Sequence, residues 1–493
     1  MSSESGRSSM SALRLENIRS WDIQTDVAIV GFGAAGVCAA IEARSAGAAV
    51  QVFEVAGGHG GCAALAGGEV YVGGSGGTPI QRAAGFEDST EDLYQYLLMN
   101  GGPGADEAKT RLYAERALEH FEWLVAQGVP FKGTYLPGKW LEPLTDDTLI
   151  WSGNEDAWPC SQRAKPAPRG HAPRLEGWGA GRLLMDQLAR SAIDLGADVH
   201  YSSRAVRLIA GDDGSVKGLV VRMDGRECNV RAQRGVILCA GGYACNESMI
   251  RQYTPSALVC KTPITAGNDY GAGIRMGISM GAAAIHMEQF FCTMPFYPPE
   301  SLVKGIFVNE LAQRFVNEDA YHGRVTQQIL RQPNARAWLL VDNEIFDRPI
   351  INPDVVISAT GDTWAEVETE LGFIPGSLQQ TVQAFNASAR ISADPLFHKS
   401  AKWLRALTEP PFGALSFCAS DYGALFFTLG GLSTLPTGQV LTPDGDIIPG
   451  LYAAGRTACG LPRWGDGYSS GVSLADSTFF GREAGRHAAA ALA

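Results

Sequence analysis

An unbroken apolar run, Val27-Ala28-Ile29-Val30, follows Asp26 and has the character of a strand buried on both faces in a parallel sheet. Gly31-Phe32-Gly33-Ala34-Ala35-Gly36 comes next, and a helical pattern then continues to about Ala46, where Gly47 ends it. Ala49 to Phe53 form a second strand, closed by Glu54. Strand, glycine-rich turn, helix and strand in this order predict a βαβ unit of a doubly wound fold.

Farther along, Thr90 to Met99 and Glu107 to Ala126 read as helices. In the second, Ala114, Ala117, Leu118, Phe121, Leu124 and Val125 keep helical spacing, and Gly128 stops it. Residues 133–178 change character: Pro, Gly and Trp dominate, with Trp140, Trp151, Trp158 and Trp178 among them. That composition predicts a long irregular segment, either a lid or surface packing. A helix near Gly181 to Leu195, strands near Val199 to Ile209 and Gly218 to Met223, and a buried strand Gly235 to Leu238 follow. Thr363 with Glu366 opens a later helix as a capping box. Gly450 to Ala493 run strand, glycine-rich loop and terminal helix. The expected architecture is α/β with an α+β cap. A Rossmann-like domain is built from both chain ends, residues 1–284 and 426–493, and residues 285–425 are inserted between them.

Composition narrows the function. Of 493 residues, 45% are apolar and 19% charged, which supplies a large core and argues against disorder. The net charge of −12 disfavours nucleic acid and anionic membranes as partners. The longest apolar stretch, Val27 to Ile41, has 15 residues and is stopped by Glu42, so no stable membrane insertion is expected. The polar N-terminus carries no secretory pattern, and the ten Cys show no C-x-x-C. A cytoplasmic protein with reduced thiols is the expectation. No Walker A loop, H-E-x-x-H, nucleophile elbow or metal-spaced His and Cys set is present, so no metal is expected.

The glycine fingerprint carries the first chemistry. Gly31 permits the tight turn, Gly33 lets the main chain approach a pyrophosphate, and Gly36 lets helix and strand pack closely. The helix N-terminus offers unpaired N–H groups to the phosphates. Glu54, 18 residues past Gly36, is placed to accept hydrogen bonds from an adenosine ribose. A pyridine-nucleotide flavoenzyme of the disulfide-reductase type would carry a second fingerprint, and Gly241-Gly242 lacks the rest of it. FAD is therefore the expected resident cofactor, with electrons leaving to an external acceptor. Further glycines at Gly57-Gly58, Gly60-Gly61 and Gly67-Gly68 would let the main chain approach a flat ring.

Four segments then appear in order: the fingerprint, Gly267-Asn268-Asp269-Tyr270-Gly271-Ala272-Gly273-Ile274, Gln313-Arg314-Phe315-Val316-Asn317-Glu318, and Gly450-Leu451-Tyr452-Ala453-Ala454-Gly455. Together they resemble the fumarate reductase and 3-ketosteroid dehydrogenase flavoprotein superfamily over about residues 24–490. The resemblance implies FAD in a Rossmann-like domain, with substrate bound where the inserted cap meets it. By position, Val206 would meet the adenine end through its backbone. Ala35, Gly60, Gly61, Cys62, Gly67, Gly68, Asp269, Gly455, Arg456, Ser473 and Leu474 would line the cofactor, with Arg456 standing where many members carry Glu. The superfamily's covalent flavin His has no match, His59 falling two residues early, so non-covalent FAD is expected.

Departures from the fumarate reductases point to the substrate. Their Arg-Asp pair after the R-F-V-N-E run reads His322-Gly323 here. Phe426-Phe427 stand before Thr428-Leu429-Gly430-Gly431, where those enzymes place a dicarboxylate-binding His, and their second substrate arginine corresponds to Tyr468. A site that has lost these cations and gained aromatics suits an uncharged, largely apolar ketone. Tyr321, Tyr468 and Ser470 resemble the Tyr and Tyr-x-Ser set of the 3-ketosteroid Δ4-(5α)-dehydrogenase branch. The Δ1 branch tends to carry Y-P-G-x-G, from which Ser469-Ser470 departs.

The resemblance thus implies desaturation of a 3-keto-5α-steroid at C4–C5, the α-hydrogen leaving as a proton and the β-hydrogen as a hydride to flavin N5. Tyr468 would hold the carbonyl oxygen, Ser470 would take the proton, and Tyr321 would assist Ser470 and relay it. Exchange of the Ser470 and Tyr321 roles, a Δ1-dehydrogenase, a desaturase or ene-reductase for another apolar ketone, and a flavin-binding sensor or scaffold stand as alternatives. Met294-Pro295-Phe296-Tyr297 is expected either in the pocket wall or in the core.

Overall fold

The computed structural model describes residues 11–491. The strand Ile23–Val30 enters the middle of a nine-stranded sheet, and the apolar residues Val27 to Val30 are buried on both faces. It pairs in parallel with Val50–Phe53 on one side and Arg226–Leu238 on the other. The strand Ile447–Ala453, more than 200 positions later, adds in parallel to the far edge of Arg226–Leu238. Both ends of the chain therefore build one sheet, and its order is that of a doubly wound fold.

The helix Ala34–Ser45 is almost wholly buried, because small residues let it sit between the sheet and the C-terminal helix Val472–Ala490. Gly36 makes the closest approach: a Cβ there would lie 1.9 Å from the carbonyl oxygen of Gly31. Glycines at 481 and 485 meet the fingerprint helix in the same way, with a Cβ 2.4 and 2.3 Å from the oxygens of Ala35 and Ala39. A buried ionic network ties these helices together. Arg482 Nε donates to Glu42 Oε1 at 2.8 Å, and Arg486 Nε to Glu42 Oε2 at 2.8 Å.

The predicted run Val199 to Ile209 is two strands, Asp198–His200 and Arg204–Ala210, separated by a turn where Ser202 takes φ 52°. They pair at different places in the sheet, which continuous hydrophobicity alone does not distinguish. The segment 133–178 is less irregular than its composition suggests. Tyr135–Lys139, Leu149–Trp151 and Gly170–His171 join Val70–Tyr71 in a four-stranded sheet.

A separate four-stranded antiparallel sheet is made by Ile306–Asn309, Ala337–Val341, Phe412–Ser416 and Ile357–Gly361. The capping box at Thr363 and Glu366 opens the helix Trp364–Leu371 beside it. Behind this sheet Arg314 donates to Glu318 and pairs with Asp394 at 2.8 Å, while Lys399 reaches Glu318 at 3.1 Å. This buried cluster fixes the chain just before Tyr321. Among the described residues, no helix is long and apolar enough to cross a membrane.

Candidate active site

One cavity runs from the end of the first strand to a cluster of aromatic side chains. At the first end its walls are main chain: Gly31, Gly33, Gly60 and Gly61 line it beside Ala34 and Ala35. A Cβ on Gly33 would meet nothing nearer than the Gly60 oxygen at 3.8 Å, so it would project into the cavity. Glu54 stands at this edge with Oε2 accepting from Phe32 N and Oε1 from Ala56 N, both at 2.7 Å. Each oxygen keeps a further lone pair for a ribose hydroxyl. Two helix N-termini end at the cavity, at Ala34 and at Ser473-Leu474, and the first turn of a helix leaves N–H groups without intrahelical partners. A dinucleotide with a pyrophosphate fits this donor set.

The middle of the cavity carries Cys62, Gly67, Asp269, Gly455 and Arg456. Arg456 Nη1 approaches Asp269 Oδ2 at 2.7 Å as an ion pair without hydrogen-bond alignment. Burial works against the guanidinium charge, and Asp269 with Cys62 more than offsets it, so Arg456 stays a cation. Cys62 receives the Ala266 N–H at 3.3 Å. Glu69, also at the wall, has its carboxyl pushed up to about 8 by burial and by the neighbouring Glu142.

At the far end Phe291, Tyr321, Leu429 and Tyr468 cluster, with Ile264 and Phe427 against them. Tyr321 OH and Ser470 Oγ share a hydrogen bond of 2.9 Å. Tyr468 OH donates to Ser473 Oγ at 3.1 Å, and its ring lies 4.5 Å from Phe291 and 5.5 Å from Phe427 between centroids. Burial pushes the Tyr468 hydroxyl up to about 12 and the Tyr321 hydroxyl well above its ordinary value. Both remain O–H donors at neutral pH. His322, packed 4.0 Å from the Tyr321 ring, is driven down to about 3 by burial and is a neutral imidazole. Asp466 holds the Tyr468 loop to the helix His322–Leu330, accepting from Gln328 at 3.0 Å and Arg331 at 2.5 Å.

Of the residues expected from the sequence to hold the cofactor or substrate, Gly36, Gly57, Gly58, Gly68, Val206 and Phe426 do not line the cavity, whereas Gly31, Gly33, Glu54, Tyr321, Tyr468, Ser470 and the remaining ones do. Gly36 packs beneath the turn, Gly68 backs onto Ala180, and at Val206 it is the neighbours Arg204 and Ala205 that face the space. Pro295 is in the wall, while Met294, Phe296 and Tyr297 belong to the core. None of the four tryptophans of 133–178 lines the cavity; Leu141 and Glu142 of that segment do. Phe291 and Glu69 carried no signal in the sequence. Phe291 lies in a short strand, Phe290–Thr293, buried on both faces, so its pattern does not separate pocket wall from core.

The Rossmann-type sheet and the glycine-walled cavity define a flavin-dependent oxidoreductase. The chain belongs to the FAD binding domain family, which it matches over residues 26–470. In structure it is similar to a 3-ketosteroid-Δ4-(5α)-dehydrogenase of Rhodococcus jostii RHA1, solved in complex with 4-androstene-3,17-dione. The TM-score is 0.92 at 39% identity, with 97% of this chain and 99% of that one covered. It is 28% identical to a 3-oxo-5-alpha-steroid 4-dehydrogenase of Comamonas testosteroni, over 88% of this chain and 93% of that protein. It is also 28% identical to a probable fumarate reductase of Shewanella frigidimarina, over 94% of this chain and 75% of that protein.

Proposed function

We propose that the protein is an FAD-dependent dehydrogenase that introduces the C4–C5 double bond into 3-keto-5α-steroids. The observation that carries this reading is the 2.9 Å hydrogen bond between Tyr321 and Ser470, set beside Tyr468 in an aromatic cavity. The similarity to the Rhodococcus jostii enzyme, with its bound steroid, supports it. So does the charge at the far end of the cavity, where Phe291, Phe427 and neutral His322 offer no cation to an anionic substrate. Arg456 is engaged by Asp269.

FAD, when bound non-covalently by Glu54, the fingerprint and the two helix N-termini, supplies a two-electron hydride acceptor. The remaining work belongs to side chains. Tyr468 turns its O–H from Ser473 to the substrate carbonyl, where charge develops as the α-proton leaves. Its raised pKa keeps that proton in place through neutral pH. Ser470 takes the α-proton while its own hydroxyl proton passes to Tyr321 across the 2.9 Å contact, and Tyr321 releases its phenolic proton onward to solvent, so each hydroxyl ends with one proton. The aromatic walls keep water from the carbon centre that loses the proton and the hydride.

In this reading residues 285–425 form the catalytic cap, residues 1–284 and 426–493 hold the cofactor, and electrons pass to an external acceptor. Ten unpaired cysteines support a cytoplasmic location. The test is product identity: FAD-loaded protein given a 5α-saturated 3-ketosteroid and an artificial acceptor is expected to yield the 4-ene-3-one. A 1-ene product would replace this reading with the Δ1 reaction.

A further inference from the structure

Residues 152–155 follow the strand Leu149–Trp151 and bond to the main chain of both members of the proton-transfer pair. Ser470 N donates to the carbonyl oxygen of Ser152 at 2.9 Å, and Ser152 Oγ donates back to the carbonyl oxygen of Ser470 at 3.1 Å. Two residues on, Asn154 Oδ1 accepts the Tyr321 N–H at 2.8 Å. That N–H precedes the helix His322–Leu330 and has no partner within it. Asn154 N in turn donates to Tyr96 OH at 2.8 Å, and Tyr96 OH meets Ser469 Oγ at 2.8 Å. A single short segment thus grips both Tyr321 and Ser470, which lie 149 positions apart.

The closeness of the fit is specific. A Cβ on Gly153 would lie 2.2 Å from Ser469 Oγ and 2.5 Å from Tyr96 OH, so the strap reaches the Tyr468 loop only because residue 153 has no side chain. Ser152 and Asn154 are each 1% exposed and neither lines the cavity, so neither meets substrate. The Asn154 amide nitrogen has no partner among the described residues, which leaves the bond to Tyr321 as the side chain's one polar engagement.

We propose that Ser152 and Asn154 are positioning residues for the reaction, a strap that fixes Tyr321 and Ser470 at proton-transfer distance. The proposal rests on the reading that Tyr321 and Ser470 move the substrate proton. Neither the hydroxyl nor the phenol gives up a proton readily, so their separation and alignment decide whether the transfer keeps pace with hydride loss.

The test is anaerobic single-turnover bleaching of the FAD-loaded protein by a 5α-saturated 3-ketosteroid, over a range of steroid concentrations. Asn154→Ala, Ser152→Ala, Ser470→Ala and the double variant Asn154→Ala with Ser470→Ala are compared. Asn154→Ala is expected to bleach about 10–100-fold more slowly at saturating steroid, the scale of a misplaced catalytic group. The half-saturating concentration, flavin occupancy and thermal midpoint should stay near those of the unaltered protein. In the Ser470→Ala background, Asn154→Ala should add no further loss, because the strap acts only through the pair.

A normal rate for Asn154→Ala, or an equal extra loss in the double variant, would overturn the proposal while leaving the function standing. A normal rate for Ser470→Ala would remove both. Should Asn154→Ala not retain its flavin, Ser152→Ala carries the test, since it deletes one hydroxyl; it must slow bleaching with the half-saturating concentration unmoved, and an unaltered rate would overturn the proposal.

Discussion

Tyr321 and Ser470 share a 2.9 Å hydrogen bond across 149 positions of sequence, one from the start of the helix His322–Leu330 and the other from the glycine-rich loop before the C-terminal helix. Ionic and polar groups hold both sides. Arg314, Glu318, Asp394 and Lys399 fix the approach to Tyr321, and Asp466 with Gln328 and Arg331 fastens the loop that carries Ser470. If this pair moves the substrate proton, Tyr321→Phe and Ser470→Ala should each slow turnover by about 10²–10⁴-fold, the usual range for a general acid or base. Steady-state rates on flavin-saturated variants check this, and losses below about threefold would be far short of that range.

Tyr468→Phe deletes the donor to the substrate carbonyl. By the scale of a lost oxyanion donor, it should cost about 2–4 kcal/mol in transition-state stabilisation with FAD still bound. The ratio of kcat/KM values for variant and unaltered protein reads this directly.

Glu54 is anchored by two main-chain N–H groups and lies at the nucleotide end of the cavity. Glu54→Ala should therefore weaken FAD retention. Flavin absorbance per protein after dialysis should fall, and unchanged occupancy would remove Glu54 as the ribose ligand.

Glu155 is buried within the strap, where its Oε2 accepts the Gly153 N–H at 2.8 Å. Burial pushes its carboxyl up to about 7, against the lowering effects of its own main-chain N–H and of Arg169 and Lys139. A carboxyl raised in the folded state favours folding while protonated. Its contribution is complete below about pH 4.5 and is lost as pH rises through about 7, with about 3 kcal/mol as the upper bound. Glu155→Gln should flatten the dependence of the thermal midpoint on pH across that window. An unchanged profile would show that Glu155 does not titrate there.

The nucleotide half of the site was legible because its physics is local. Gly31, Gly33, Gly36 and Glu54 lie within one βαβ unit, and their spacing alone implies a turn, a close approach and a ribose acceptor. The substrate half came from resemblance, through Tyr321, Tyr468 and Ser470, since aromatic and hydroxyl residues in loops have no periodicity to read. The strap leaves no trace in the sequence pattern. Ser152 meets Ser470 at a separation of 318 positions and Asn154 meets Tyr321 at 167, through main-chain groups and short side chains that any irregular segment contains. Tryptophans drew attention to 133–178, yet Trp140 and Trp151 donate to Pro137 and Tyr135 within that segment, and Trp158 and Trp178 are exposed.

The most direct test mixes oxygen-free, FAD-loaded protein with a 5α-saturated 3-ketosteroid while the flavin's visible absorbance is followed and the steroid product is identified. Rapid bleaching with a 4-ene-3-one product is the expected result. An oxidised flavin that no 3-ketosteroid bleaches would contradict the steroid dehydrogenase assignment and leave only the FAD-binding fold.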